Sequence, residues 1–170
     1  MADLLVQRRD EVLAANRIDV EAAQARKVEA YFVDRLTLTA ERLTGIANDA
    51  RAVAALPDPV GEWFDETRLP NDLRLRKRRV PLGVLGVIYE ARPNVTIDIA
   101  ALAIKSGNAV ILRGGSETLN TNRAMVTLIH RALTEAGLPE AAIGSIDDPS
   151  RARILELLRF HELVQLPLPR

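Results

Sequence analysis

The sequence predicts an α/β protein, a doubly wound parallel sheet preceded by N-terminal helices and a β-hairpin arm. Three observations carry that expectation. Residues 83–170 alternate short apolar runs with amphipathic segments, the rhythm that parallel strands joined by right-handed helical crossovers impose. Residues 2–55 repeat apolar side chains at helical spacing. Residues 60–82 change to a partly alternating pattern around the turn material Pro70-Asn71-Asp72. The expected divisions are a helical segment at 1–59, a hairpin arm at 60–82 and an α/β unit at 83–170.

Taken in order, Leu4, Leu5, Val12, Leu13, Val20 and Ala23 fall on one helical face. A second helix is expected to begin at Thr39, an N-cap residue, and to bury Leu43, Ile46, Ala47, Ala50, Val53 and Ala54. Leu56-Pro57-Asp58-Pro59 ends it, because proline cannot continue a helix and displaces its predecessor from the helical region. In the hairpin, Leu73 and Leu75 are expected on one face, with Arg74, Arg76 and Arg78 on the solvent side discouraging edge pairing. Trp63 and Phe64 read as packing or interface anchors. The sequence GVLGVIYE then gives a buried strand, VTIDIAALAIKSG a helix closing at Gly107, and AVILRG a second strand. Residues from about Asn120 to Glu135 form a helix with Met125, Leu128, Ile129 and Ala132 inward, and AAIGSID a third strand. Asp148-Pro149-Ser150 opens a last helix, ARILELLRF. ELVQLPL is the fourth strand, in which Pro167 removes one ladder donor.

The 170 residues carry 23 basic and 23 acidic side chains, a balance that gives no global attraction to nucleic acid or anionic membranes. Residues 74–79 concentrate basic charge, but no aromatic side chains interleave with it, so a solvated strand is the expected reading and nucleic acid is not an expected partner. The absence of cysteine excludes disulfides, thiolate metal sites and a cysteine nucleophile among these residues. His130 and His161 have no second ligand at metal spacing, so no metal is expected. No apolar run approaches the ~18 residues of a membrane span and Met1–Leu5 does not read as a leader, which makes the cytoplasm the expected location.

In a doubly wound sheet ligands sit beyond the carboxyl ends of the strands, which selects residues 89–94, 113–117 and 146–150. A GxGxxG turn is absent after the first strand, where YEARPN stands instead. Arg113-Gly114-Gly115-Ser116-Glu117 is the more informative loop. Paired glycines let backbone N–H groups approach an anion and take φ > 0, and the helix that follows presents its positive end to the same space. Arg113 closes the second strand, where such folds meet the adenosine ribose; an arginine there suits a 2′-phosphate, hence NADP(H) rather than NAD(H). The same residues also suit a plain glycine-rich turn in which Glu117 favours the helix N-terminus.

The stretches RRVPLGVLGVIYEARPNVTIDIAALAIKSGNAVILRGGSE, DRLTLTAERLTGIANDARAVAALPDPVG and GLPEAAIGSIDDPSRA closely resemble the gamma-glutamyl phosphate reductase family of the aldehyde dehydrogenase superfamily. That resemblance implies an oxidoreductase of proline biosynthesis that reduces L-glutamate 5-phosphate with NADPH. It implies a cofactor loop made of Arg113, Gly114, Gly115, Ser116 and Glu117, and in the 89–94 loop either Asn94 as the candidate oxyanion donor or, instead, Arg92 facing the anionic acyl phosphate. It also implies a homo-oligomer whose arm is 60–82. The family's nucleophilic cysteine lies in a later domain that these residues do not include, so an inactive fragment holding an incomplete NADP-binding domain at 83–170 is expected. The alternative is a noncatalytic nucleotide- or phosphate-binding fragment, or a remnant, of that enzyme.

Overall fold

A computed structural model describes residues 1–160 and 162–169, the last five of them by their backbone. His161, of which no metal-binding role is expected, lies outside the described residues. The N-terminal segment forms four helices: α1 (Ala2–Gln7), α2 (Arg9–Ala25), α3 (Ala30–Leu36) and α4 (Ala40–Ala55). The expected first helix is thus three. No glycine or proline marks its breaks; the chain turns at Arg8, and at Lys27 with a left-handed φ of 54°. The start of α4 is as expected, with the Thr39 hydroxyl accepting from the Arg42 amide at 3.2 Å.

Strands β1 (Trp63–Arg68) and β2 (Arg74–Arg78) pair antiparallel with one register irregularity and form a sheet of their own. Neither face of this hairpin is covered. Leu73 and Leu75 are 57% and 50% exposed, so the expected buried face is absent within the described fold. The basic residues are instead used locally. The guanidinium carbons of Arg76 and Arg78 lie 4.9 and 5.4 Å from the Trp63 ring, Lys77 binds Asp65 at 2.9 Å and Arg79 binds Glu62 at 2.7 Å.

The remainder is the parallel sheet. After β3 (Val84–Ile88) come α5 (Asn94–Lys105), β4 (Ala109–Arg113), α6 (Leu119–Glu135), β5 (Ile143–Ser145), α7 (Arg151–Arg159) and β6 (Val164–Pro169). The order is β5-β4-β3-β6, with every pairing parallel. Strand alternation divides the core between two faces. Val87, Tyr89, Val110 and Leu112 join α5, α6 and the N-terminal helices, so Leu5, Val12, Leu43 and Ile46 belong to the same apolar cluster as the sheet. On the other face Ile88, Ile111, Leu157 and Val164 pack together under α7. Helices therefore cover both faces, as the predicted doubly wound fold requires. Gly86 has a packing reason: a Cβ there would stand 3.1 Å from Val164. Pro167 sits opposite Gly86 on β6, an edge strand among the described residues, where the lost donor is tolerated.

Candidate functional site

The chain runs from β3 outward to β4 and β5 and then crosses to β6 on the other side of β3. The strand order thus reverses between β3 and β6, and the crevice at their carboxyl ends is where this architecture holds ligands. Residues 89–94 form its rim, and Arg113 ends the neighbouring strand.

Arg113 stands where the sequence puts it, in register with Ile88 at the end of β4. Its side chain is only 5% exposed, and one terminal nitrogen donates to the Pro149 carbonyl at 2.7 Å. Alternation explains the direction: two residues beyond Ile111, Arg113 shares the α7 face of the sheet. Its Nε is buried and has no hydrogen-bond partner among the described residues. A buried cation short of one acceptor is costly to the fold, and an incoming anion can supply the missing bond. The Pro149 turn is itself fixed. Asp148 accepts from the Ser150 amide and from Arg153, each at 2.8 Å. Those bonds, the amide's foremost, hold its carboxyl below the usual range, with the Arg113 charge adding to them.

The glycines that follow serve a purpose other than the expected one. Gly115 has φ −64°, and Gly114 is not among the left-handed glycines either. They are required for space. A Cβ on Gly114 would run into the Asn122 amide, and one on Gly115 into the Glu117 carboxylate. Glu117 accepts from the backbone N–H of Ala91 at 3.1 Å and from the Ser116 hydroxyl at 3.3 Å. It therefore ties the 113–117 loop to the 89–94 loop, and it precedes α6 rather than capping it. Ala91, so tied, has a left-handed φ of 48°.

The N-terminus of α6 is also closed, contrary to expectation. The buried Asp19 carboxylate of α2 accepts from the Thr121 amide at 2.8 Å, the Thr121 hydroxyl at 2.6 Å and the Asn120 side chain at 2.7 Å. The helix dipole is thereby satisfied by the protein's own anion. Asn16, one turn earlier on α2, donates to the Leu36 carbonyl at 2.8 Å and to Thr121 at 3.2 Å, and accepts from the Leu38 amide at 2.7 Å. Beneath the two loops runs a buried chain. Tyr89 meets Thr96 at 2.7 Å, Thr96 donates to Asn122 at 3.0 Å, and Asn122 donates to Thr118 at 2.9 Å. Burial pushes the Tyr89 phenol up to about 12, against the opposing bond to Thr96, so this group stays protonated. The sequence reading missed Asp19, Asn16 and Asn122. His130 is also structural, its Nε2 lying 2.6 Å from the Ile143 carbonyl.

Arg92 and Asn94 occupy a different setting. Both line a cleft of about 500 Å³ between α3, α4 and the start of α5. Arg92 is exposed and has no ion-pair partner among the described residues, whereas Asn94 is half-buried and its amide donates to Asp98 at 2.9 Å. Asn94 thus has one amide hydrogen engaged and one left. Among the described residues no group of acidic, histidine or cysteine side chains could hold a metal, and no helix is long and apolar enough to cross a membrane.

This fold, with its β5-β4-β3-β6 order and its helices on both faces, is shared with solved aldehyde dehydrogenases. A propionaldehyde dehydrogenase from Rhodopseudomonas palustris shares it with TM-score 0.65 and 16% identity, across 98% of this chain and 36% of that one. Along its full length the chain is homologous to gamma-glutamyl phosphate reductases. It is 60% identical over 159 residues to the gamma-glutamyl phosphate reductase of Deinococcus radiodurans, covering 94% of this chain and 37% of the relative. It is 55% identical over 170 residues to that of Chloroflexus aggregans, covering 100% and 40%. A crystal structure of the Thermotoga maritima gamma-glutamyl phosphate reductase superposes with TM-score 0.93 at 45% identity, covering 99% of this chain and 41% of that one. No family model matches the sequence. The chain therefore spans about two fifths of the relatives it matches.

Proposed function

We propose that the chain forms the NADPH-binding part of an oxidoreductase that reduces L-glutamate 5-phosphate to L-glutamate 5-semialdehyde in proline biosynthesis. The reading is supported by the homology along the whole chain and, within the fold, by one observation above the others: the buried Arg113 with its unpartnered Nε beside the crevice. A ribose 2′-phosphate offers the acceptor that this nitrogen lacks. The group fits Arg113 but not the N-terminus of α6, which Asp19 fills. Bound there, the cofactor would supply the hydride.

In this reading the chain's own residues bind and orient. Arg113 holds the phosphorylated ribose, with Gly114, Gly115 and Ser116 forming the loop beside it and Glu117 fixing that loop to Ala91. Arg92 draws the acyl phosphate into the cleft by charge. The free amide hydrogen of Asn94 points the carbonyl and stabilises its oxygen as negative charge develops there. A thiolate supplied by sequence other than these 170 residues displaces phosphate from the acyl carbon to give a thioester. The hydride that the cofactor would supply to that thioester would release the aldehyde and return the thiolate. The uncovered hairpin would pair with a second copy, giving a homo-oligomer in the cytoplasm.

The absence of cysteine favours a narrower second reading for the 170 residues taken alone, a noncatalytic nucleotide-binding piece. Calorimetry and an activity assay on the purified chain test both. NADPH is expected to bind at least tenfold more tightly than NADH, with Arg113→Gln erasing the difference. No semialdehyde should form from the chain alone. Equal affinity for the two nucleotides contradicts the assignment of Arg113, and turnover contradicts the need for an external nucleophile.

A further inference from the structure

Arg113 does not stand alone at the end of the sheet. Its side chain is 5% exposed and aims at the turn that opens α7, donating to the Pro149 carbonyl at 2.7 Å. Its buried Nε lacks an acceptor among the described residues. Two residues past that carbonyl, at most about 7 Å along the chain, α7 starts at Arg151. The helix has nine residues and no acid in its first turn. The Ser150 hydroxyl accepts from the Ala152 amide and the Ser150 carbonyl from the Arg153 amide, each at 3.2 Å. The Arg151 N–H is left without an acceptor among the described residues, and the exposed Arg151 guanidinium has no ion-pair partner there. The acids of this turn are already engaged. Asp148 accepts from Arg153 and the Ser150 amide, and Asp147 from Arg123, each at 2.8 Å. The start of α6, in contrast, is filled by Asp19. One turn thus gathers unanswered donors from two elements: a buried one at the end of β4, and a charged side chain and an N–H at the first residue of α7.

We propose that Arg151 and the open first turn of α7 complete the phosphate site that Arg113 begins, which makes Arg151 a second residue selecting a 2′-phosphorylated adenosine. The assignment rests on the reading above for Arg113 and extends it. A phosphate monoester presents three terminal oxygens, more than a single Nε–H can use. Seated on the Arg113 Nε, it turns another oxygen toward Arg151, where a charge-assisted bond and the helix dipole act together. Arg113 forms the floor of this site and Arg151 its rim. A free 2′-hydroxyl brings no charge to either, so Arg151 contributes to the difference between the two nucleotides rather than to nucleotide binding in general.

The test is calorimetry and amide chemical shifts on the 170-residue chain with NADPH, NADH, adenosine 2′-monophosphate and adenosine. Arg151 is exposed and its side chain has no partner among the described residues, so Arg151→Gln leaves the fold intact. It should weaken NADPH about fivefold and NADH by less than about twofold. Adenosine 2′-monophosphate should move the Arg151 amide signal, and adenosine should not. Combined with Arg113→Gln, the change should cost less than the two single losses together, because both residues act on one phosphate. Equal losses for the two nucleotides, or the same amide shift with adenosine, overturn the proposal. The two assignments fail separately. A preference for NADPH that Arg113→Gln erases and Arg151→Gln leaves untouched sinks Arg151 alone. A preference that yields to Arg151→Gln but not to Arg113→Gln sinks the reading of Arg113 and keeps the α7 site. No preference for NADPH in the unaltered chain overturns both.

Discussion

The 113–117 loop and the cleft at 92–94 sit at the same end of the sheet and use similar residues to opposite ends. In the loop, charge is consumed by the fold: Arg113 holds the Pro149 carbonyl, Glu117 the Ala91 amide, and Asp19 the start of the following helix. In the cleft, Arg35, Arg92 and Asp49 have no partners among the described residues. A glycine-rich loop at a strand end looks like the better anion cradle on paper. Its glycines are there because Asn122 and Glu117 occupy the space that side chains would need. The difference teaches that satisfied polar groups build the frame and unsatisfied ones are left for a ligand. Arg113 belongs partly to both classes, being bonded at one nitrogen and orphaned at another.

Paired substitutions break or sharpen that contrast. Asp19→Ala strands the Asn120 and Thr121 donors in the core and should cost about 3 kcal/mol in denaturant unfolding, whereas Asp49→Ala should stay within about 0.5 kcal/mol. Similar costs for the two would erase the distinction between frame and ligand site. Next in size is Gly114→Ala, which should cost about 2 kcal/mol through its collision with the Asn122 amide. Combined with Asn122→Ala it should cost less than the sum of the two single changes, because the obstructing group is gone. Glu117→Ala should cost about 1 kcal/mol and speed hydrogen exchange at the Ala91 amide, while Glu117→Gln keeps the acceptor and preserves protection.

The smallest effect is on pH dependence. Since the Asp98 carboxyl is raised when folded, its contribution favours the fold fully below the ordinary value of 3.8 and is lost as pH rises through the folded value. Carboxyl carbon titration should find Asp98 above that ordinary value and lower in Asp49→Asn. An Asp98 that titrates at its ordinary value, or that ignores Asp49, removes the coupling between the two acids.

What the sequence disclosed follows the range of the interactions involved. The apolar runs of residues 84–88 and 109–113, the Thr39 and Ser150 caps and the left-handed Gly107 are local features, and each stands where periodicity and capping rules put it. The breaks at Arg8 and Lys27 carry no glycine or proline and are set by how α1, α2 and α3 dock. Asp19 reaches Asn120 across 101 residues, and no spacing rule finds such a cap. The direction of Arg113 was within reach, because alternation from Ile111 already assigns its side chain to the α7 face. The exposure of Leu73 and Leu75 depends on what the hairpin packs against, which local alternation does not contain.

The buried Nε–H of Arg113 is the atom on which the cofactor assignment rests, and its nitrogen resonance can be followed directly. Adding NADPH should shift that signal, while NADH, lacking the 2′-phosphate, should leave it where it was. The same shift with both nucleotides, or no shift with either, would contradict the account.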